Sequence, residues 1–273
     1  MEELKVRRAT VAGQFYPSTR QELSRQIESL INKKAKKQDV IACMLPHAGY
    51  VYSGRVAAET LSRVNLKERI ILLGPNHTGM GAAFSVMAEG SWQTPLGEVK
   101  IDTQLAKALL GRCRYLEENS LAHIHEHSLE VELPFLQYFK SDFKIVPITL
   151  LSDTIRALKE TGKEIASAIQ DNAFTGSTLL VASSDMTHYE SQAQAEKKDR
   201  RAIEAILELN EDLLAERIQE LSISMCGWAP TMVMLSAAKA LGAKKGELVR
   251  YQTSGDVTGD TSSVVGYAGI IAY

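Results

Sequence analysis

The sequence predicts an α/β protein with a largely central sheet, in one large domain or two small ones. Three observations carry that expectation. Helical patterns alternate along the chain with short β-branched or apolar runs, as expected when helices cover a sheet. No internal repeat, low-complexity tract or Pro/Gly-rich linker interrupts the alternation. The 273 residues are 45% hydrophobic and 23% charged, ordinary for a soluble protein with a large core.

The elements follow in order. Ser18 starts a helix to about Lys36, with Gln21 placed for a capping box. Val40 to Leu45 reads as a buried strand ending just before His47, and Gly54 to Val64 as a helix. Arg69 to Leu73 is a second buried strand, stopped by Gly74-Pro75 and followed by His77. Phe84 to Ala88 and Gly97 to Ile101 read as shorter strands, with a turn at Thr94 to Gly97. Thr103 to Arg112 is a helix. His127 to Phe139 has Leu129, Leu133 and Leu136 at helical spacing, with Pro134 expected to limit or kink it. Lys144 to Thr149 is a strand, Asp153 to Ile169 a helix, and Thr178 to Ala182 a buried strand delivering Ser183, Ser184 and Asp185. Helices follow to about Leu209, from the N-cap Asn210 to Leu221, and from Ala229 to Leu241. Strands at 247–254 and 263–272 close the chain.

Composition removes several function classes. A formal net charge of -2, from 31 basic and 33 acidic residues, argues against a broad nucleic-acid surface. The run Lys33-Lys34-Ala35-Lys36-Lys37 reads as a solvated helix end. No apolar run approaches the ~20 residues of a spanning helix, and Met1 to Lys5 lacks a signal-peptide core. The three cysteines, Cys43, Cys113 and Cys226, form no spaced framework, so a reducing, cytoplasmic setting is the default expectation.

The histidines carry the functional signal. His47, His77 and the Asp185/His188 segment each follow a strand end. Ligands of open α/β sheets bind outside the carboxyl ends of the strands, so neighbouring strands would bring these residues to one rim. Neutral imidazole is the commonest metal ligand, which makes His47 and His77 the first ligand candidates; the alternative is that each caps a strand end. Asp185 and His188 lie three apart, a spacing that lets a carboxylate orient an imidazole for acid–base work. In the run His123-Ile124-His125-Glu126-His127, the segment Glu126-His127-Ser128 is placed at the pocket, with His127 as its candidate; His123 and His125 read as solvated. Cys226 precedes an apolar helix, where a thiol ionises readily and serves as ligand or nucleophile, or simply packs. Cys43 and Cys113 read as packing residues. There is no G-x-S-x-G elbow, phosphate-binding glycine pattern or C-x-x-C pair.

Taken in order, these segments resemble the Memo family, whose archaeal and bacterial relatives are associated with a three-protein set containing a radical-SAM member. The resemblance runs through Arg8 to Pro17, Pro46 to Gly54, Leu73 to His77, Thr94 to Gly97, Glu126 to Glu130, Ser183 to His188, and Met225-Cys226-Gly227. It implies a single α/β domain over residues 1–273, with a central mixed sheet flanked by helices, similar to class III extradiol dioxygenases, which bind non-haem iron with two His and one Glu. The implied ligands are His47 and His77, with Cys226 where the glutamate would stand. The further pocket residues implied are His127, Asp185 and His188, with His188 or His127 as acid–base partner. Two imidazoles and a thiolate suit iron, copper or zinc better than magnesium or calcium. Loss of the glutamate weakens direct transfer of a ring-cleaving activity.

The function expected is therefore that of a cytoplasmic, metal-dependent redox protein or oxidoreductase, using iron or copper, with zinc possible. It would act on a small-molecule or peptide substrate, with radical-SAM system proteins as implied partners and no nucleic acid or membrane. The competing expectation is a non-catalytic peptide-binding scaffold using the same cleft, with Tyr16, Tyr50, Tyr52, Trp92 and Trp228 as an aromatic rim.

Overall fold

Apolar residues on both faces of the inner strands require cover on both sides. The computed structural model shows how the chain provides it, describing residues 6–152 and 154–273. Met1 to Lys5 and Asp153, where a helix was expected to begin, lie outside the described residues.

The chain opens with β1 (Val6–Arg7) and α1 (Arg20–Leu30), then β2 (Ala42–Leu45), α2 (Gly54–Ser62) and β3 (Arg69–Pro75). Next come β4 (Phe84–Val86), β5 (Ser91–Thr94), β6 (Gly97–Lys100), α3 (Thr103–Arg112), β7 (Glu117–Glu118), a 3-10 turn at Leu121–His123, and α4 (Leu133–Phe139). They are followed by β8 (Lys144–Leu150), α5 (Ile155–Asp171), β9 (Thr178–Ser183), β10 (His188–Glu190), α6 (Gln192–Leu207), α7 (Glu211–Glu220) and α8 (Trp228–Ala240). β11 (Gly246–Thr253), the short α9 (Gly255–Thr258) and β12 (Val264–Ala272) end it.

The main sheet runs β10-β12-β2-β9-β3-β8-β4-β7, with β11 also on β12. It is mixed: β2, β9, β3 and β8 are parallel, while β12 and β4 flank them antiparallel. A small second sheet joins β1, β5 and β6. Alternation divides the core cleanly. Ala42, Met44, Ile71, Leu73, Leu180 and Ala182 pack in the cluster that holds residues of α3, α5, α6, α7 and α8. Cys43, Leu45, Ile70, Leu72, Leu179 and Val181 pack in the cluster with α1, α2, α4 and the small sheet.

Several boundaries differ from expectation for identifiable reasons. The N-cap of α1 is Thr19, whose hydroxyl accepts from the Glu22 N–H and donates to the Glu22 carboxylate, so the capping pair is Thr19/Glu22 rather than Ser18/Gln21. That helix ends at Leu30, leaving the Lys33–Lys37 run as exposed turn and coil instead of a helix end. The hairpin around Thr94–Gly97 joins β5 to β6, and β5 was not anticipated. Pro134 stands in the first turn of α4 and starts it; it does not kink a longer helix from His127. Among the described residues no helix is long and apolar enough to cross a membrane.

Candidate metal site

β2, β9 and β3 lie side by side, and their carboxyl ends carry the site. Leu45 pairs with Ser183, and Leu73 pairs with Ala182 in register. His47, Asp185 and His77 are each the second residue beyond their strand. This register brings two imidazoles and a carboxylate to one rim.

Cys226 arrives from the loop before α8. The Asp185 N–H lies 3.3 Å from its Sγ, and that sulfur lies 3.3 Å from His47 Nε2. Gly227 makes this approach possible. A Cβ there would sit 2.3 Å from the Ser183 carbonyl and 2.5 Å from Ser184 Cβ. Its N–H instead donates to Ser184 Oγ at 3.0 Å.

Donor atoms of His47, His77 and Cys226 lie within 4.8 Å of one another. The His47 and His77 ring centroids are 5.3 Å apart at 71°. Each imidazole is held through Nδ1. His77 Nδ1 is 2.9 Å from Glu126 Oε1, and the same carboxylate accepts the His77 backbone N–H. His47 Nδ1 is 2.8 Å from Ser183 Oγ. Nδ1 contacts of this kind leave Nε2 as the open donor.

Asp185 is buried, and its Oδ1 accepts the His47 backbone N–H at 2.9 Å. Burial raises its pKa against the hydrogen bond from His47 and the His188 charge. His188 Nδ1 lies 2.8 Å from the Ser224 carbonyl, an acceptor only, so Nδ1 carries the proton and Nε2 is free. Asp199 fixes this loop from behind by accepting from the Thr187 N–H at 2.9 Å and Tyr251 OH at 2.7 Å. His127 stacks on His77 with centroids 4.8 Å apart. Its Nδ1 is 3.5 Å from Glu126 Oε1, too long for a good hydrogen bond.

A cavity of about 340 Å³ opens over these groups, lined by His47, His77, His127, Asp185 and His188, with Phe15, Tyr52, Tyr189 and Tyr267 among its walls. Burial holds His47 well below the usual histidine range, with His77 and His127 adding to the effect. Burial and the Asp185 charge push the Cys226 thiol up, so protein groups alone leave it protonated. A bound cation inverts that balance, since a coordinating thiol is deprotonated outright. The borderline-soft donor set and the pre-oriented rings fit a transition metal.

The cluster His123 to His127 divides differently from expectation. His125 is exposed, but His123 is wholly buried against Trp92, with ring centroids 5.9 Å apart. Burial lowers its pKa to about 3. Glu126 and Ser128, placed at the pocket from the sequence, open an acid-rich run whose burial the sequence reading missed. Glu126, Ser128, Glu130 and Glu132 are all fully buried. Glu126 holds His77, and Glu130 binds Arg7, Tyr16 and the Thr10 and Val11 N–H groups. Strict polar/apolar alternation from Ser128 to Leu133 was the available signal. The expected aromatic rim is also corrected. Tyr16, Tyr50 and Trp92 are core residues, Trp228 packs partly buried against the core, and of the five only Tyr52 lines the cavity.

A family model described as Memo-like protein matches residues 7–271. A MEMO1 family protein of Methanopyrus kandleri is 43% identical over 279 residues, covering 97% of this chain and 98% of that protein. One of Methanocaldococcus jannaschii is 43% identical over 286 residues, covering 98% and 99%. One of Aquifex aeolicus is 41% identical over 270 residues, covering 98% and 99%. Among solved structures, an uncharacterized protein of Escherichia coli K12 is similar with a TM-score of 0.54 and 15% identity, over 83% of this chain and 98% of that one. At that identity the likeness concerns the fold alone. Matching nearly end to end, this chain belongs to the Memo-like protein family.

Proposed function

We propose that the chain is a metal-dependent redox protein that holds one transition-metal ion through His47 Nε2, His77 Nε2 and Cys226 Sγ and acts on a small organic molecule in the cavity. The observation that carries this reading is the convergence of three donor atoms within 4.8 Å, two of them on rings already anchored through Nδ1. Iron or copper would supply redox chemistry and an open coordination position there, and zinc would supply Lewis-acid chemistry alone.

The chain's own residues then have distinct tasks. His188 offers a free Nε2 to the cavity and can take a proton from a bound hydroxyl. Asp185 locks the His47 backbone and faces the same space as a second proton acceptor. His127 stands opposite, against His77 and Phe15, and orients a flat ligand. Phe15 and Tyr267 exclude water from part of the wall.

Anaerobic reconstitution with Fe(II) and, separately, Cu(I) tests the reading. Near-stoichiometric metal in the wild type, lost in Cys226→Ser, supports it. No uptake of either ion sinks it.

A second reading is capture of a peptide without catalysis. Exposed apolar side chains at the mouth, Tyr52 and Tyr189 with Val51 beside them, favour it. Metal-independent peptide affinity that falls in His47→Ala would establish this alternative. Action with radical-SAM system proteins rests on the family likeness, and co-purification tests it.

A further inference from the structure

Beneath His47 lies a buried acid that plays no part in the site as described above. Glu132, just before α4, is fully buried. Its Oε1 is 3.0 Å from Ser183 Oγ, and its Oε2 has no hydrogen-bond partner among the described residues. The charged neighbour that acts on it is another carboxylate, Asp185. A carboxyl group in such surroundings keeps its proton, because an ionised one would be desolvated with no cation to offset the loss.

Ser183 Oγ is the junction. It has one hydrogen and two lone pairs. It has three neighbours: the Ser128 carbonyl at 2.8 Å, His47 Nδ1 at 2.8 Å and Glu132 Oε1. The carbonyl only accepts. One assignment satisfies all three: Ser183 donates to Ser128, while the Glu132 O–H and the His47 Nδ1–H both donate to Ser183. Were Ser183 to donate to His47 Nδ1 instead, the Ser128 carbonyl would lose its hydrogen bond from Ser183 in a buried setting.

We propose that Glu132 and Ser183 form a neutral relay that locks His47 in its Nδ1–H form, so that Nε2 is always presented to the site as a lone pair. Glu132 is thus a positioning residue acting through Ser183. The tautomer is a property of the protein without metal. Its effect on affinity rests on the metal site proposed above.

Two readouts test the relay. Nitrogen-15 spectra of histidine-labelled, metal-free protein near neutral pH report the His47 tautomer. Wild type and Glu132→Gln should both show Nδ1–H, because a neutral amide N–H replaces the acid O–H. Ser183→Ala and Glu132→Leu should show mixed tautomers. Affinity for Zn(II) should fall ~10–100-fold in Ser183→Ala and in Glu132→Leu, and stay near wild type in Glu132→Gln. The Ser183→Ala/Glu132→Leu double variant should be no weaker than Ser183→Ala alone. Glu132→Gln matching the loss in Ser183→Ala would overturn the neutral relay, as would an unchanged His47 tautomer in Ser183→Ala. If Glu132→Leu fails to fold, Glu132→Gln against Ser183→Ala still decides. If the wild type takes up no metal, the metal reading fails and the tautomer alone judges the relay.

Discussion

His47 and His77 reach the site by the same route and are held by opposite chemistry. Each stands just past a parallel strand, and each offers Nε2. His77 has about a third of its side chain exposed and is gripped by the carboxylate of Glu126 at backbone and ring. His47 is 2% exposed and leans on a neutral hydroxyl, with a carboxyl group one step further away. The difference follows from what surrounds each acid, since Glu126 and Glu132 are both fully buried. Glu126 keeps its charge because it accepts the His77 and Ser128 N–H groups and meets the His77 ring. Glu132 reaches only a hydroxyl among the described residues, with Asp185 as its charged neighbour, and ionising it there would carry a desolvation penalty of several kcal/mol. The same fold position therefore takes a charged or a neutral anchor according to the donors around it.

The comparison can be broken most severely by removing the ligands. His47→Ala, His77→Ala and Cys226→Ser should each abolish stoichiometric metal uptake, a loss on the order of 100-fold or more in affinity, beyond that of an orienting residue. Metal analysis after desalting measures it, and retention in His77→Ala would remove that residue from the set.

Glu126→Gln comes next, since it replaces the charged anchor with a neutral one. Affinity should fall ~10–100-fold, more than in Ser183→Ala. Burial pushes Glu126 upward, but the hydrogen bond and charge of His77, with the Ser128 N–H, outweigh it and hold the carboxyl at about 2. A depressed folded-state value stabilises the fold fully above the ordinary glutamate range and is lost as pH falls toward 2. Wild type should therefore lose stability between about pH 4.5 and 2 more steeply than Glu126→Gln, as chemical denaturation across that window would show. Parallel curves would deny Glu126 its ionised role.

Gly227→Ala sharpens the third donor. The added methyl meets the Ser183 carbonyl, so a loss of about 1–3 kcal/mol and displacement of Cys226 are expected. An unchanged melting temperature with full metal affinity would contradict that packing.

The smallest effect is at Tyr189. It is 79% exposed with φ at +59°, a left-handed conformation that favours glycine. Tyr189→Gly should raise stability by at most about 1 kcal/mol while weakening retention of an aromatic ligand. Destabilisation would show that the ring contributes packing despite its exposure.

The histidine rim was legible in the sequence because it depends on local signals. Apolar runs mark the strands, Gly74-Pro75 marks a strand end, and the strand-end rule does the rest. Glu126 was placed at the pocket, but which ring each anchor holds was not legible, because that depends on contacts remote in sequence. Nothing near Glu132 announces Ser183, and nothing near Glu130 announces Arg7. Alternation in Ser128 to Leu133 shows that two faces exist but not that both are buried. His123 failed for the same reason, since its burial depends on Arg7 and Trp92 arriving from β1 and β5. Tyr50 was misplaced because its stacking partner Phe135 lies on α4.

X-ray absorption on Zn(II)-loaded protein tests the central claim most directly. One sulfur at about 2.3 Å and two imidazole nitrogens at about 2.0–2.1 Å are expected, with the sulfur gone in Cys226→Ser. A shell of nitrogen and oxygen alone in the wild type would contradict the His47/His77/Cys226 site.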